Sequence, residues 1–279
     1  MSHASTAYIV AAEAESDTTA RERIATLLNA AIFGALLVLI PFTAVPYGTA
    51  DAWWKAAFVC VMFVLAIGWV VEGLLSGSWH TGGRRVLIPV LALAGFSLLQ
   101  TVSLGSGNTA GVSLPFWNSI SADPFATRFF ALQLLALCVA GALFFRYAAT
   151  HTRINAVIHV IIAVAVASAL FGILRQTTQH EVGFGLPFIR PEQGYAQFVN
   201  KNHFAFLMEM AFGLALGRIL AGGITRERGL IYATALIPVW VALVLSNSRG
   251  GILAMLCQIV IAVLLFTSSS SESQTLDFT

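Results

Sequence analysis

Residues 154–173 have the sequence INAVIHVIIAVAVASALFGI, an apolar run without a single charged side chain. A bilayer core is about 30 Å thick, and an α-helix needs about 20 mostly apolar residues to cross it. Other stretches share this character, and the apolar windows together are about 24–45, 56–75, 86–104, 129–147, 154–173, 203–221, 230–246 and 251–267. Apolar and polar residues do not alternate with a period of two, which argues against a transmembrane barrel. We therefore predict an all-α, polytopic transmembrane helical bundle of about eight spans.

The composition of the whole chain supports this class. Hydrophobic residues make up 58% of the 279 residues, and charged residues make up 10%. Soluble domains are about 45–50% apolar and about 25% charged. The composition therefore excludes a soluble enzyme, a disordered chain and a nucleic-acid binder, which needs a basic surface. The cysteines Cys60, Cys138 and Cys257 lie in apolar runs with no metal-ligand spacing, so neither a disulfide nor a zinc site is expected.

The distribution of positive charge predicts the orientation. With the N-terminus in the cytoplasm, nine of the 15 Lys and Arg residues fall on the inner side and six on the outer side. This bias follows the positive-inside rule. The first span follows a polar stretch and is too long for a cleavable signal peptide. The predicted organisation is a cytoplasmic tail at 1–23 (disordered over 1–20), a transmembrane domain at 24–267 with outer loops at about 105–128 and 174–202, and a polar C-terminal tail at 268–279.

The first outer loop ends in the sequence SADPFATR at residues 121–128. Asp123 followed by Pro124 is typical of a helix start, because the carboxylate accepts from free N–H groups and proline is tolerated in the first turn. We interpret this motif mainly as a cap for the fourth span.

A dense polar cluster precedes the sixth span. Asn200, Lys201, Asn202 and His203 place amide, ammonium and imidazole groups in consecutive positions at a membrane interface. Asn202 is predicted to cap the span, and the positive end of the helix dipole then faces outward. This arrangement is typical of a site that attracts anions such as phosphate, although it also occurs where polar residues merely anchor a helix end.

Glu209 lies about two turns inside the same span. A carboxylate at membrane depth is costly and normally faces a partner in the bundle interior. His203 is poorly placed to pair with it on one helix face. We expect Arg249 or Lys201 to pair with Glu209, or Glu209 to be protonated.

The sequence SNSRGG at residues 246–251 joins the last two spans. Arg249 is expected at the outer interface, held near the bundle by two closely packed glycines. Its planar guanidinium suits bidentate contact with phosphate, although an arginine here can also simply reach lipid headgroups. Arg190 in the second outer loop adds positive charge to this face, whereas Arg175 is interpreted as an anchor at the end of the fifth span.

These motifs together resemble the O-antigen ligase/polymerase family of bacterial envelope glycan enzymes. The matching pieces are FVNKNHFA at 198–205 running into LMEM at 207–210, SRGG at 248–251, and the pattern Ser121-x-Asp123-Pro124-x-x-Thr127. The resemblance implies a membrane glycosyltransferase of the bacterial inner membrane that acts at its periplasmic face. Its donor would be an undecaprenyl-diphosphate-linked glycan, and its acceptor another glycan or lipid.

The resemblance also implies roles for individual residues. Arg249, Glu209 and His203 would be catalytic, whereas Arg190, Asn200, Lys201, Asn202 and Ser248 would bind substrate. No metal ion or other cofactor is required in such enzymes, and other polysaccharide-assembly proteins are possible partners. Ligases of the family commonly use a base histidine on a large periplasmic loop, which has no counterpart here. The chain is therefore expected to be C-terminally truncated, to use another base, or to be inactive alone.

Two other classes remain open from the sequence. A flippase of lipid-linked glycans, or another small transporter, predicts charged residues along a path through several spans. Glu209 and Glu72 are the main charges within spans. A non-catalytic membrane subunit is the second alternative.

Overall fold

The computed structural model describes residues 2–79, 82–102, 119–179, 193–221 and 224–276. Within these ranges the chain forms α1 (Ser2–Ala44), a 3₁₀ turn (Tyr47–Thr49), α2 (Ala52–Ser76), α3 (Arg84–Leu99), α4 (Pro124–Tyr147), α5 (His151–Gln179), α6 (Lys201–Leu220), α7 (Arg226–Leu245) and α8 (Arg249–Leu276). Large parts of both predicted outer loops, and Arg190 with them, lie outside the described residues.

Seven helical segments of the described chain are long and apolar enough to cross a membrane. They are Ala20–Ala44, Ala52–Ser76, Pro124–Tyr147, His151–Thr178, Lys201–Leu220, Arg226–Leu245 and Arg249–Thr267. Their apolar side chains can face lipid, while the helix satisfies its own backbone hydrogen bonds. The predicted all-α, polytopic membrane fold is confirmed.

The third predicted span, 86–104, forms a shorter helix than expected. Helix α3 has 16 residues, which corresponds to about 24 Å and is less than the bilayer core of about 30 Å. The helix ends where the backbone N–H of Thr101 bonds the Leu98 carbonyl, three residues back rather than four. The Thr101 hydroxyl donates to the same carbonyl at 2.8 Å. These local hydrogen bonds set the end of the helix, and the apolar window 86–104 does not predict them.

The two termini are more helical than the sequence indicated. Helix α1 begins at Ser2, so the prediction that residues 1–20 are disordered is wrong. The segment contains Ala4, Ala7, Ala11, Ala12 and Ala14, and alanine is the strongest helix former. Helix α8 likewise continues to Leu276, through most of the predicted polar tail.

The chain divides into two compact units, of which the first comprises Met1–Leu36 and Lys55–Arg153. Its Glu72 carboxylate is buried and forms an ion pair with Arg146, with an N–O distance of 2.6 Å. The Tyr147 hydroxyl donates to the same carboxylate oxygen at 3.0 Å. A buried charge is tolerated when it is paired and hydrogen-bonded, so these contacts account for an acidic residue in an apolar helix.

The start of α4 in this unit follows the predicted motif. The Asp123 carboxylate accepts a hydrogen bond from the Ala126 N–H at 3.0 Å, and Pro124 is the first helical residue. The Ser121 and Thr127 hydroxyls are 2.8 Å apart and hydrogen-bonded. The motif therefore acts as the helix cap that the sequence predicts.

The second unit comprises Leu37–Trp54 and Ile154–Thr279. Its core is built from α5, α6, α7 and α8 around fully buried residues such as Ala165, Phe204, Met208 and Leu243. The start of α6 contacts the start of α8, and Glu209 further along α6 contacts Gln258 further along α8. Helices α6 and α8 therefore run parallel, and their N-termini lie at the same end of this unit.

Candidate functional site

Helix α6 is capped two residues earlier than the sequence predicts. Asn200 has an extended backbone with φ −120°, and its side-chain oxygen accepts from the Asn202 N–H at 2.8 Å. The cap is therefore Asn200, and the assignment of this role to Asn202 was wrong. The Lys201 N–H donates to the Gln193 carbonyl at 2.7 Å, so the preceding segment satisfies another N–H at this helix end. The Asn202 side chain is left available for a different contact.

Helix α8 starts directly after a tight turn. Asn247 has φ +53°, a left-handed conformation that asparagine tolerates better than most residues. Ser248 is 2% exposed. Its Oγ accepts from the Gly251 N–H at 3.4 Å, and its carbonyl accepts from the Ile252 N–H. Ser248 therefore caps α8 and places Arg249 as the first helical residue.

One hydrogen bond joins the two polar motifs. The Ser248 hydroxyl donates to the Asn202 side-chain oxygen at 2.9 Å. These residues are separated by 46 positions in the sequence, yet they bring the first turns of α6 and α8 into contact. The expectation that the two motifs lie on the same face of the protein is confirmed.

Gly251 allows the two helices to approach closely below this bond. A Cβ atom at position 251 would lie 2.7 Å from the Ala205 Cβ, 2.9 Å from the Leu243 Cδ1 and 3.1 Å from the Glu209 Oε1. At Gly250 an added Cβ would meet nothing within 4 Å. The prediction of two closely packed glycines is thus correct for Gly251 and wrong for Gly250.

Glu209 is not paired as expected. Its Oε1 is buried and has no hydrogen-bond partner, and neither Arg249 nor Lys201 forms an ion pair with it among the described residues. Residues two positions apart in a helix, such as 249 and 251, point about 200° apart around the helix axis. Because Gly251 faces Glu209, Arg249 points away from it. The nearest polar contact is the Gln258 side-chain N–H, which donates to the Glu209 backbone carbonyl at 3.3 Å.

The cations of the motifs lie towards solvent. Arg249 and His203 are exposed, and Lys201 is half-buried. The positive dipole ends of two parallel helices meet beside these cations, and such an end favours an anion. The geometry therefore provides a surface that can bind a phosphate group, with a buried carboxylate about two turns below it.

The segment before α6 contains residues that sequence reasoning missed. Tyr195 and Phe198 exchange two backbone hydrogen bonds around a two-residue turn, in which Ala196 has the strained value φ +52°. The turn lies on one face of α5. The Gln197 amide donates to the Ser168 hydroxyl at 2.7 Å, and the Tyr195 ring lies directly against Gly172.

Arg175 completes this face and is buried, with 8% of its surface exposed. Its guanidinium donates to the Ala196 carbonyl at 2.6 Å. The interpretation of Arg175 as a span-end anchor is therefore wrong, because an anchor reaches outward to the headgroups. Ser168, Gly172 and Arg175 follow the i, i+4, i+7 spacing of one helix face, which was the signal available in the sequence. Arg190, which the sequence favoured instead, lies outside the described residues.

A cavity of about 610 Å³ lies between α6 and α8. Its lining is largely apolar and includes the small residues Gly213, Gly217, Ala221 and Ala262, with Gln258 at the end nearest Glu209. The two helices that meet tightly at their N-termini thus leave an apolar cavity further along.

No family model, no curated protein and no solved structure matches this chain.

Proposed function

We propose that the chain is a membrane glycosyltransferase of the O-antigen ligase/polymerase type, located in the bacterial inner membrane with a cytoplasmic N-terminus. It transfers or polymerises undecaprenyl-diphosphate-linked glycan at the periplasmic face, during the synthesis of surface polysaccharide. The observation that carries the proposal is the hydrogen bond between Ser248 and Asn202, at 2.9 Å. It joins the two motifs on which the family resemblance rests.

The charges at this end suit a diphosphate leaving group. Arg249 and Lys201 are each the first residue of a helix, so their charges add to the positive dipole ends of α8 and α6. Fixed positive charge beside a reacting phosphate stabilises the negative charge that develops as the glycosyl bond breaks. Arg249, Lys201 and Arg190 contact the diphosphate in this proposal, while Asn200, Asn202, His203 and Ser248 shape the site.

Glu209 has a role in proton transfer in this proposal. Its Oε1 has no partner among the described residues, which supports proton transfer rather than pairing with Arg249. Its contact surface with Gly251 holds the carboxylate against α8, directly below the cationic end.

The lipid part of the substrate has a complementary surface on the same helices. Gln258 lines the cavity of about 610 Å³ between α6 and α8 and also donates to the Glu209 carbonyl. A polyprenyl chain in this cavity would leave its diphosphate at the shared N-terminal end.

The test is the replacement Arg249→Ala in the native host, with long-chain polysaccharide followed by gel electrophoresis. We expect a loss of long chains, because removal of one group that stabilises transition-state charge lowers a rate by about 10²–10³-fold. Arg226→Ala is the matched control, since Arg226 is also exposed and is the first residue of a helix, α7. Unchanged chain length at normal protein levels for Arg249→Ala would contradict the proposal.

A further inference from the structure

The buried guanidinium of Arg175 has unused hydrogen-bonding capacity. One of its nitrogens donates to the Ala196 carbonyl, whereas Nε is buried and has no partner among the described residues. No carboxylate forms an ion pair with Arg175 among the described residues. A guanidinium has five N–H donors and is always charged. A buried charge without a counter-charge is costly unless something else neutralises it.

The Tyr195 hydroxyl is a second unused donor at the same place. Tyr195 is 8% exposed, and its hydroxyl oxygen is buried without a partner in the part of the chain that the structure describes. Its ring lies against Gly172, one helical turn before Arg175 on α5, and the carbonyl that Arg175 binds belongs to the next residue, Ala196. Burial raises the pKa of Tyr195 to about 12, so the hydroxyl keeps its proton at physiological pH and can donate it.

These two donors lie beside the start of α6. The Tyr195 ring packs on the ring of Phe204, with centroids 4.7 Å apart, and Phe204 is on the first turn of that helix. The Arg175 Nε and the Tyr195 hydroxyl both lack an acceptor among the described residues, and such a pair of donors matches an anion with several oxygens, such as a phosphate. The end of α5 lies where a membrane span ends, which is the depth of a lipid headgroup.

We propose that Arg175 and Tyr195 form a second anion-binding position, which takes a phosphate oxygen of a lipid-linked substrate. The identity of the ligand rests on the proposed function, whereas the binding itself does not. In this position the guanidinium fork and the hydroxyl donate to the phosphate from inside the protein, while Arg249 and Lys201 act from the exposed side. The turn at Tyr195–Phe198 thus positions a ligand contact, as well as closing the segment before α6.

The test measures binding to the purified full chain in detergent. The probes are dodecyl phosphate, inorganic phosphate and, as the uncharged comparison, dodecanol. Arg175→Gln removes the charge but keeps a polar side chain, and Tyr195→Phe removes only the hydroxyl. Arg153→Gln is the control for loss of an arginine on the same helix, since Arg153 bonds the Tyr147 carbonyl near the opposite end of α5.

We expect both site variants to bind the phosphate probe about tenfold or more weakly than the wild type, with dodecanol binding unchanged. Arg153→Gln should bind like the wild type. Tyr195→Phe should leave the ligand-free melting temperature unchanged, because the hydroxyl has no hydrogen bond to any described residue. Preference for dodecyl phosphate over inorganic phosphate would identify the ligand as a lipid headgroup, and the reverse preference would identify a free anion.

Wild-type affinity in both site variants would overturn the inference, as would a lower ligand-free melting temperature for Tyr195→Phe. The two proposals can fail separately. If Arg249→Ala removes long-chain polysaccharide but the site variants bind phosphate normally, this inference fails and the proposed function stands. If the site variants lose phosphate binding but Arg249→Ala leaves the polysaccharide unchanged, the reverse holds.

Discussion

Adding one methyl group to each of two adjacent glycines should change stability in opposite directions. At Gly251 the new Cβ would lie 2.7 Å from the Ala205 Cβ and 2.9 Å from the Leu243 Cδ1, distances that force the helices apart. Overpacking of this kind costs about 1–3 kcal/mol. Alanine has a better helix propensity than glycine, and this difference stabilises the folded protein by about 0.5–1 kcal/mol. We therefore expect Gly251→Ala to lower the free energy of unfolding by about 1–2 kcal/mol.

Gly250→Ala is the matched control, because its Cβ meets nothing within 4 Å. It should be neutral or should stabilise the protein by up to about 1 kcal/mol. The assay is reversible unfolding of the purified chain in mixed detergent micelles with increasing dodecyl sulfate. Equal effects of the two substitutions would refute the close packing of α8 against α6.

Two further predictions concern the same helix pair. In a double-mutant cycle, Asn202→Ala and Ser248→Ala should show a coupling free energy of about 0.5–1.5 kcal/mol in the same unfolding assay; strictly additive effects would contradict the hydrogen bond between them. Gly217→Leu should fill the cavity between α6 and α8. It should therefore weaken the binding of long-chain polyprenyl diphosphates more than the binding of short-chain ones, and calorimetric titration measures both affinities. Gly95→Leu is its control, since both positions are exposed and open to an added Cβ. Equal effects of the two changes would show that the polyprenyl group does not bind in this cavity.

The membrane fold could be predicted because it depends on composition over long windows. An apolar run such as 154–173 is stable in a bilayer as a helix, because a helix satisfies its own backbone hydrogen bonds. Helix ends depend instead on single hydrogen bonds, which apolar composition does not encode. The end of α3 at Leu99 and the cap at Asn200 rather than Asn202 are decided at that level.

The shared position of the two motifs could be predicted from the sequence, but the pairing of their side chains could not. The two motifs were expected on one face, and the bond between Ser248 and Asn202 brings them together. The partner of Glu209 could not be predicted, because it depends on which side of α8 faces α6. Gly251 occupies that side, which turns Arg249 away.

Arg175 was misinterpreted for a related physical reason. A lone arginine near a span end is usually an outward anchor, and its burial here depends on a turn that lies about 20 residues later in the chain. The spacing of Ser168, Gly172 and Arg175 on one face of α5 was visible in the sequence. The sequence did not show what this face packs against, because the backbone of a loop residue such as Ala196 follows no periodic pattern.

We propose that the joined N-termini of α6 and α8 bind a lipid-linked diphosphate through Arg249. Calorimetric titration of the purified full chain with farnesyl diphosphate and with the uncharged alcohol farnesol tests it directly. We expect Arg249→Ala to weaken binding of farnesyl diphosphate by about tenfold or more. Binding of farnesol should be unchanged. Equal affinity of the wild type for the two ligands, or an unchanged affinity of Arg249→Ala for farnesyl diphosphate, would contradict it.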